Sequence, residues 1–237
     1  LLDQLTYADM VSLIGDSFHW TMPIESVQAP GTRDENGPQG LTVALFGSGL
    51  GVETTALTSE DVLAATFNKE LAYEIGNIVG EDCLAAKVTF LYGPGANTHR
   101  SPYSGRNFEY YSEDGILGGK ICAKLCEGIV EHGILVYLKH AILNEQEINR
   151  LQVSTYANEQ TIREIYLRPF ELAIVDGGAQ NVMTAYNKIG AKYSGIQGFC
   201  KTVLRDEFGM KGFAVTDYLT GGHENRMPGN IINGNDL

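Results

Sequence analysis

Positive charge is scarce in this chain. Its 237 residues hold 17 Lys and Arg against 29 Asp and Glu, a formal net charge of -12. Phosphate backbones are held by clustered basic residues, so nucleic acid is set aside as a partner. Long apolar runs are missing as well. None approaches the roughly 18 residues of a membrane span, so no membrane partner is expected. The opening LLDQLTYADM has neither the basic lead nor the apolar stretch of a signal peptide. It also lacks an initiator Met, so further residues are expected upstream. Cysteine is limited to Cys83, Cys122, Cys126 and Cys200, with no CxxC pair. That spacing argues against a zinc site. Free thiols packed as small apolar groups in a reducing cell are expected, hence a cytoplasmic location; the alternative is an export signal removed before residue 1. The Gly-rich FGSGLGVET (46–54) lacks GxGxxG spacing and a following Lys-Ser/Thr, so it reads as a surface loop. Neither a metal nor a cofactor is expected.

With 43% hydrophobic residues the chain can build one sizeable core, and a single domain over 1–237 is expected. Four apolar runs stand out: VTFLYGPG (88–95), ILVYLKHAIL (134–143), VMTAYN (182–187) and FAVTDY (213–218). They are continuous rather than alternating, as parallel strands covered on both faces are. Helical stripes lie between them. Leu117, Ile121, Leu125 and Ile129 repeat at four-residue spacing behind Ser112 as the expected N-cap. Ile162, Tyr166, Phe170 and Ile174 form a second stripe, starting near Asn158 or Thr161. Leu71, Ile75, Ile78 and Val79 mark an earlier helix. This alternation predicts a parallel α/β architecture.

Polar groups gather where the apolar runs end. Asn97, His99 and Arg100 follow the first; Lys139, His140 and Asn144 interrupt and follow the second. Tyr186 and Asn187 end the third, Asp217 and Tyr218 the fourth. A carboxylate at the end of a buried strand is costly, so Asp217 calls for a partner, a ligand or a reaction. Polar residues at the C-terminal ends of several parallel strands are the layout of an active site on a (β/α)8 barrel. A doubly wound sheet places its sites likewise and stays open as the alternative.

At these residues the chain resembles glycoside hydrolase family 3, the β-glucosidase and β-xylosidase family. Six blocks carry the resemblance, in order: GPGANTHRSPYSGRNFEYYSED (93–114), LKHAILNEQEINR (138–150), REIYLRPFELAI (163–174), VMTAYNKI (182–189), VLRDEFGMKGFAVTDY (203–218) and NGNDL (233–237). The resemblance implies a (β/α)8 TIM-type barrel, incomplete at its last unit, with the family's following α/β domain absent from this chain. It implies retaining hydrolysis of a terminal β-linked sugar through a covalent glycosyl-aspartate. Asp217 matches the family's nucleophile, in a block that usually ends Ser-Asp-Trp and here reads Thr216-Asp217-Tyr218. The chemistry agrees: a glycosyl nucleophile must be short, ionised and held on a rigid strand. Lys139, His140 and Arg106 match residues that bind the innermost sugar, and Lys139 and Arg106 would favour an ionised Asp217 by charge proximity. Met183 and Tyr186 match pocket-lining positions, and Tyr186 is placed to donate to Asp217. Tyr218 supplies the aromatic wall against a pyranose face. Bland readings stand beside these: Arg106 as an ion-pair partner of Glu109, Glu113 or Asp114, and His140 as a satisfied core histidine. Asn144, Gln146, Glu147 and Arg150 read as a loop-positioning network. Asp206 and Glu207 read as a helix end, Glu81 and Asp82 as helix surface.

Departures matter. The family's early Asp-Gly-Pro reads TRDENGPQG here, with Asn36 before Gly37 and Asp34 two residues earlier; both are carried as sugar-binding candidates. An amide can bind two hydroxyls, with weaker bonds than a carboxylate. Ala141 stands where an aromatic is common. A retaining glycosidase needs a second carboxyl as acid/base. In most relatives of the β-glucosidase type it lies in the following domain, so a C-terminal domain or a second chain is expected to supply it; Glu224 is the weak candidate within the chain. The family takes β-glucosides, β-xylosides, α-L-arabinosides and N-acetylglucosaminides. The last are disfavoured, because the His-loop signature of that branch is missing. The competing function is a sugar-binding or regulatory barrel that keeps the pocket without chemistry. An oxidoreductase barrel would need a phosphate or flavin cradle that the sequence does not show.

Overall fold

The structure is a computed structural model describing residues 2–17, 19–37, 39–44, 49–218 and 227–236. Glu224, Pro38, Gly221, Gly222 and the start of the Gly-rich segment lie outside the described residues. Among the described residues nine strands run in chain order: Trp20–Thr21 (β1), Thr32–Asn36 (β2), Phe90–Tyr92 (β3), Leu135–Ala141 (β4), Ser154–Thr155 (β5), Asn181–Thr184 (β6), Lys188–Ile189 (β7), Lys192–Tyr193 (β8) and Ala214–Thr216 (β9). The helices are Tyr7–Gly15 (α1), Glu60–Ala65 (α2), Lys69–Ala85 (α3), Gly115–Val130 (α4), Glu159–Thr161 (α5), Arg168–Val175 (α6) and Met227–Ile232 (α7), with π-helical segments at Ile162–Tyr166 and Cys200–Glu207.

One sheet has the order β1-β2-β3-β4-β6-β9, and β5, β7 and β8 form a small second sheet. β1 pairs antiparallel to β2, while β2, β3, β4, β6 and β9 pair parallel in sequence order. A doubly wound sheet reverses its strand order at a switch point. Among the described strands no reversal occurs, so successive crossovers of one hand put their helices on one side. The packing agrees: α3 lies on α4, and α4 on α6. The sheet is therefore a curled part of an α/β barrel.

Both strand faces are covered, which is why the runs read as continuous. Outward residues Leu91, Val136, Leu138, Val182 and Ala214 join the main core with the helices. Inward residues Phe90, Tyr92, Tyr137 and Met183 form a separate cluster with Ala44. Tyr137 stacks on Phe90 at 4.8 Å and on Tyr92 at 5.5 Å between ring centroids.

Three local expectations need correcting. β2 is a strand the apolar pattern could not show, because TRDEN is polar throughout; Glu35 on it is buried and paired to Arg33 at 2.7 Å. The N-cap of α4 is Asp114, whose Oδ1 accepts from the N–H of Ile116 (2.7 Å) and Leu117 (3.1 Å); Ser112 instead accepts from the Asp114 N–H at 3.0 Å. Asn158 caps the next helical run through the Thr161 N–H at 2.8 Å. In α3, Leu71 and Ile78 are 40% and 36% exposed, and the buried face is Ala72, Gly76, Val79, Gly80 and Cys83. Small residues win that face because α3 and α4 touch backbone to backbone. All four cysteines are buried free thiols.

A Cβ on Gly128 would stand 2.4 Å from the Tyr73 carbonyl oxygen, and one on Gly76 2.2 Å from that of Leu125. Overpacking of this kind costs about 1–3 kcal/mol. Gly128→Val is expected to lower the thermal midpoint by several degrees; an unchanged midpoint would mean that the two helices are not in this contact.

Candidate active site

Parallel strands end together, so their C-terminal residues share one rim. Asn36 ends β2, Lys139 and His140 lie at the end of β4, Thr184 ends β6, and Asp217 follows β9. Register places Asp34 opposite Phe90 and Asn36 opposite Tyr92, on the inward face. Neighbours on a regular strand point to opposite faces. The β4–β6 register shifts between Leu138 and Ala141, and there both Lys139 and His140 reach the rim.

At the centre of the rim is Glu109, 3% exposed. Its Oε2 lies 3.2 Å from Lys139 Nζ, and its Oε1 accepts from Arg106 Nε. Arg106 Nη2 donates to His140 Nε2 at 2.8 Å, and His140 Nδ1 lies 2.9 Å from the Tyr110 hydroxyl. A guanidinium can only donate, so Nε2 accepts and Nδ1 carries the proton. Burial, then the charges of Arg106, Lys139 and Arg150, hold the His140 pKa well below the usual value, so the imidazole is neutral. Asp217 Oδ2 stands 3.6 Å from His140 Nε2. Arg106 pairs with Glu109, as its bland reading expects, and also reaches His140 at the rim. His140 is likewise a satisfied histidine and a rim residue at once.

Asp217 is 9% exposed. Its Oδ1 accepts the Tyr218 N–H at 2.7 Å, and its Oδ2 has no hydrogen-bond partner among the described residues. Burial raises its pKa, opposed by Arg106, the Tyr218 N–H, Lys139 and Arg150. The two cations favour the carboxylate, as charge proximity leads one to expect, and burial outweighs them. Burial would raise Glu109 too, yet Lys139 and Arg106 more than reverse that, and its carboxyl sits below the usual range.

The Tyr186 hydroxyl donates to the Tyr218 carbonyl and lies within hydrogen-bonding reach of Asp217 as well; burial and then the Asp217 charge push its pKa up, and Arg150 stands 4.4 Å above its ring. Tyr218 is half-buried, its ring stacked on His19 at 6.1 Å. Met183 lies in the inward cluster beneath the rim. Asn36 and Asp34 separate. Asn36 stands at the strand end, whereas Asp34 is two residues deeper, accepts from the Tyr92 hydroxyl at 3.3 Å and is pushed up to about 6 by burial. The loop network is as expected: Glu147 takes Asn144 at 3.0 Å and Arg150 at 2.8 Å. Glu207 pairs with Arg163 at 2.6 Å on the surface. Glu109 is the rim residue that sequence reasoning undervalued; its signal is the acid three residues after Arg106 in SGRNFEY. No cluster of His, Cys, Asp and Glu fit to hold a metal occurs among the described residues.

Glu109→Gln removes the charge that occupies Lys139 and Arg106, so the Asp217 titration, followed by carboxyl-carbon NMR, is expected to move to lower pH. In the native chain its midpoint lies above the ordinary 3.9 or so of an aspartate. An unchanged or higher midpoint in the variant would show that Glu109 does not control the field at Asp217.

The family model described as "Glycosyl hydrolase family 3 N terminal domain" matches residues 44–230. Among curated relatives, "Probable beta-glucosidase I" of Aspergillus fumigatus is 36% identical over 220 residues, 92% of this chain but 26% of the relative. Among solved structures, beta-glucosidase 3B from Thermotoga neapolitana in complex with glucose has a TM-score of 0.88 and 35% identity; it is matched by 100% of this chain, which covers 35% of it. The beta-glucosidase from Kluyveromyces marxianus in complex with glucose has a TM-score of 0.91 at 30% identity, with 100% of this chain and 28% of that one covered. The chain thus spans between a quarter and about a third of the length of these relatives. With four-fifths of its length under that family model, this chain belongs to glycoside hydrolase family 3 and represents its N-terminal domain.

Proposed function

We propose that this chain supplies the sugar pocket and the nucleophile of a retaining β-glycosidase of the β-glucosidase type, removing a terminal non-reducing sugar. The observation that carries the reading is Asp217. One oxygen is pinned by a backbone N–H and the other is unbonded at the rim, amid Arg106, Lys139 and His140. Relatives named as β-glucosidases, two of them solved with glucose, support glucose as the sugar.

In the first step Asp217 Oδ2 attacks the anomeric carbon. The bond from that carbon to the leaving oxygen breaks, and the pair departs with the oxygen, which takes a proton from a general acid. In the second step water attacks the same carbon and gives a proton to the acid's conjugate base, Asp217 leaves, and the configuration is retained. Lys139, Arg106, His140 and Asn36 would bind sugar hydroxyls, and Tyr218 would face the ring.

The acid/base is proposed to come from a further domain or a second chain. Glu109 is unsuited to it, because Lys139 and Arg106 keep it ionised. Glu60, raised by burial, is engaged by the Gln39 amide. The reading of a barrel that binds sugar without chemistry is favoured by one observation, the neutral Asn36 in place of a carboxylate.

Two outcomes test the enzyme reading. General-acid help is worth about 10² to 10⁴, so the chain alone is expected to favour aryl over alkyl β-glucosides by that order. Equal rates would place the acid inside this chain. Asp217→Gly is expected to stop turnover of an aryl β-glucoside, and azide entering the vacated space to restore it as α-glycosyl azide. Turnover that survives the substitution, or β-azide, would contradict a nucleophilic Asp217.

A further inference from the structure

His140 is held by two separate sets of contacts. Its ring meets Arg106, Tyr110 and Asp217. Its main chain meets one side chain, that of Asn97, which is 2% exposed. The His140 N–H donates to Asn97 Oδ1 at 2.7 Å, and Asn97 Nδ2 donates to the His140 carbonyl at 3.1 Å. The residues beside Asn97 pair with β4 by backbone: the Ala96 N–H reaches the Lys139 carbonyl at 2.6 Å, and the Lys139 N–H reaches Pro94 at 3.0 Å. The β4–β6 ladder skips His140 and resumes where the Ala185 N–H meets the Ala141 carbonyl at 2.7 Å. A carboxamide has the donor and acceptor of a peptide, so Asn97 takes the place of the missing strand partner.

Asn97 is held in turn. Its Nδ2 lies 3.2 Å from Glu145 Oε1, and Glu145 is buried in the loop after β4. The groups facing Glu145 are the Asn97 amide, the main-chain N–H groups of Glu145 and Thr98, and one charge, Arg100.

We propose that Asn97 and Glu145 are positioning residues for the sugar site: Asn97 fixes the His140 peptide, Glu145 fixes Asn97, and neither touches the sugar. The inference rests on the sugar-pocket reading above. Burial pushes the Glu145 carboxyl up to about 8 against those facing groups, so the protonated acid is the form present at neutral pH. A neutral carboxyl leaves Asn97 shared between Glu145 and the His140 carbonyl. An enclosed carboxylate draws the amide hydrogens and water to itself, and the His140 carbonyl loses its donor. Sugar affinity therefore falls as pH rises through that range. The other groups facing His140 are Arg106, Lys139, Arg150, Asp217 and Tyr110. None of them is altered by a change at Glu145, so a Gln there separates its titration from theirs.

The test follows glucose binding to this chain by calorimetry from pH 6 to 9, with the His140 ring signals followed by NMR. One pH unit above its pKa an acid is about tenfold ionised, so affinity is expected to fall roughly tenfold from pH 7 to 9. Glu145→Gln, which keeps the shape and cannot ionise, is expected to bind as the native chain does at pH 6 and to abolish the fall and the matching step in the His140 signals. Asn97→Ala is expected to weaken binding about tenfold at every pH, as the loss of two hydrogen bonds to one peptide requires. An equal fall in Glu145→Gln, or an unchanged His140 step there, would overturn the proposal. A native chain that binds no glucose but keeps a Glu145-dependent His140 step would overturn the sugar-pocket reading and leave the positioning pair standing.

Discussion

The rim depends on one buried carboxylate, Glu109. Two cations, Lys139 and Arg106, stand there with the neutral His140, and all of them face Asp217. Leaving cations unpaired at this depth would cost several kcal/mol each. Glu109 holds Lys139 at 3.2 Å and takes the Nε of Arg106, and the other end of Arg106 fixes His140. Burial leaves Asp217 with a pKa above that of an exposed aspartate, although Arg106, the Tyr218 N–H and Lys139 pull it down. Among the described residues no guanidinium or ammonium holds Asp217 in an ion pair, since Glu109 takes both. A carboxylate locked to a guanidinium by two short bonds would be a poor nucleophile, and here the guanidinium is engaged elsewhere.

The barrel supplies the geometry. Parallel strands in sequence order bring their ends to one rim, and inward aromatics Phe90, Tyr92 and Tyr137 fill the space below. Rigid strands carry Asn36, Lys139 and His140, Asp217 follows directly on β9, and Arg106 and Glu109 arrive on the segment after β3. Where the β4 ladder is interrupted, Asn97 completes it from the side.

Much of this is legible in the sequence, for physical reasons that differ by element. β3, β4, β6 and β9 show as continuous apolar runs because both faces are buried. β2 does not, since its buried Glu35 is satisfied by Arg33 and the run reads as polar. The α3 stripe misleads because contact with α4 selects Gly and Ala over Leu and Ile. Asp217, Lys139 and His140 announce themselves as polar groups inside apolar runs. Glu109 does not, and Asn97 shows only as a polar group after the first run, because their importance lies in which long-range partner they meet. The Tyr186 hydroxyl cannot be assigned from sequence at all, as its two candidate acceptors, Asp217 and the carbonyl of Tyr218, are adjacent in the chain.

The central claim is that the unbonded oxygen of Asp217 forms a bond to a sugar. Its most direct test is peptide mass spectrometry after incubation with a 2-deoxy-2-fluoro-β-glucosyl fluoride, which carries its own good leaving group and so needs little help from an acid. The account expects one fluorosugar on the peptide containing Asp217. A fluorosugar on another carboxylate, or bound sugar with no covalent label, would contradict it.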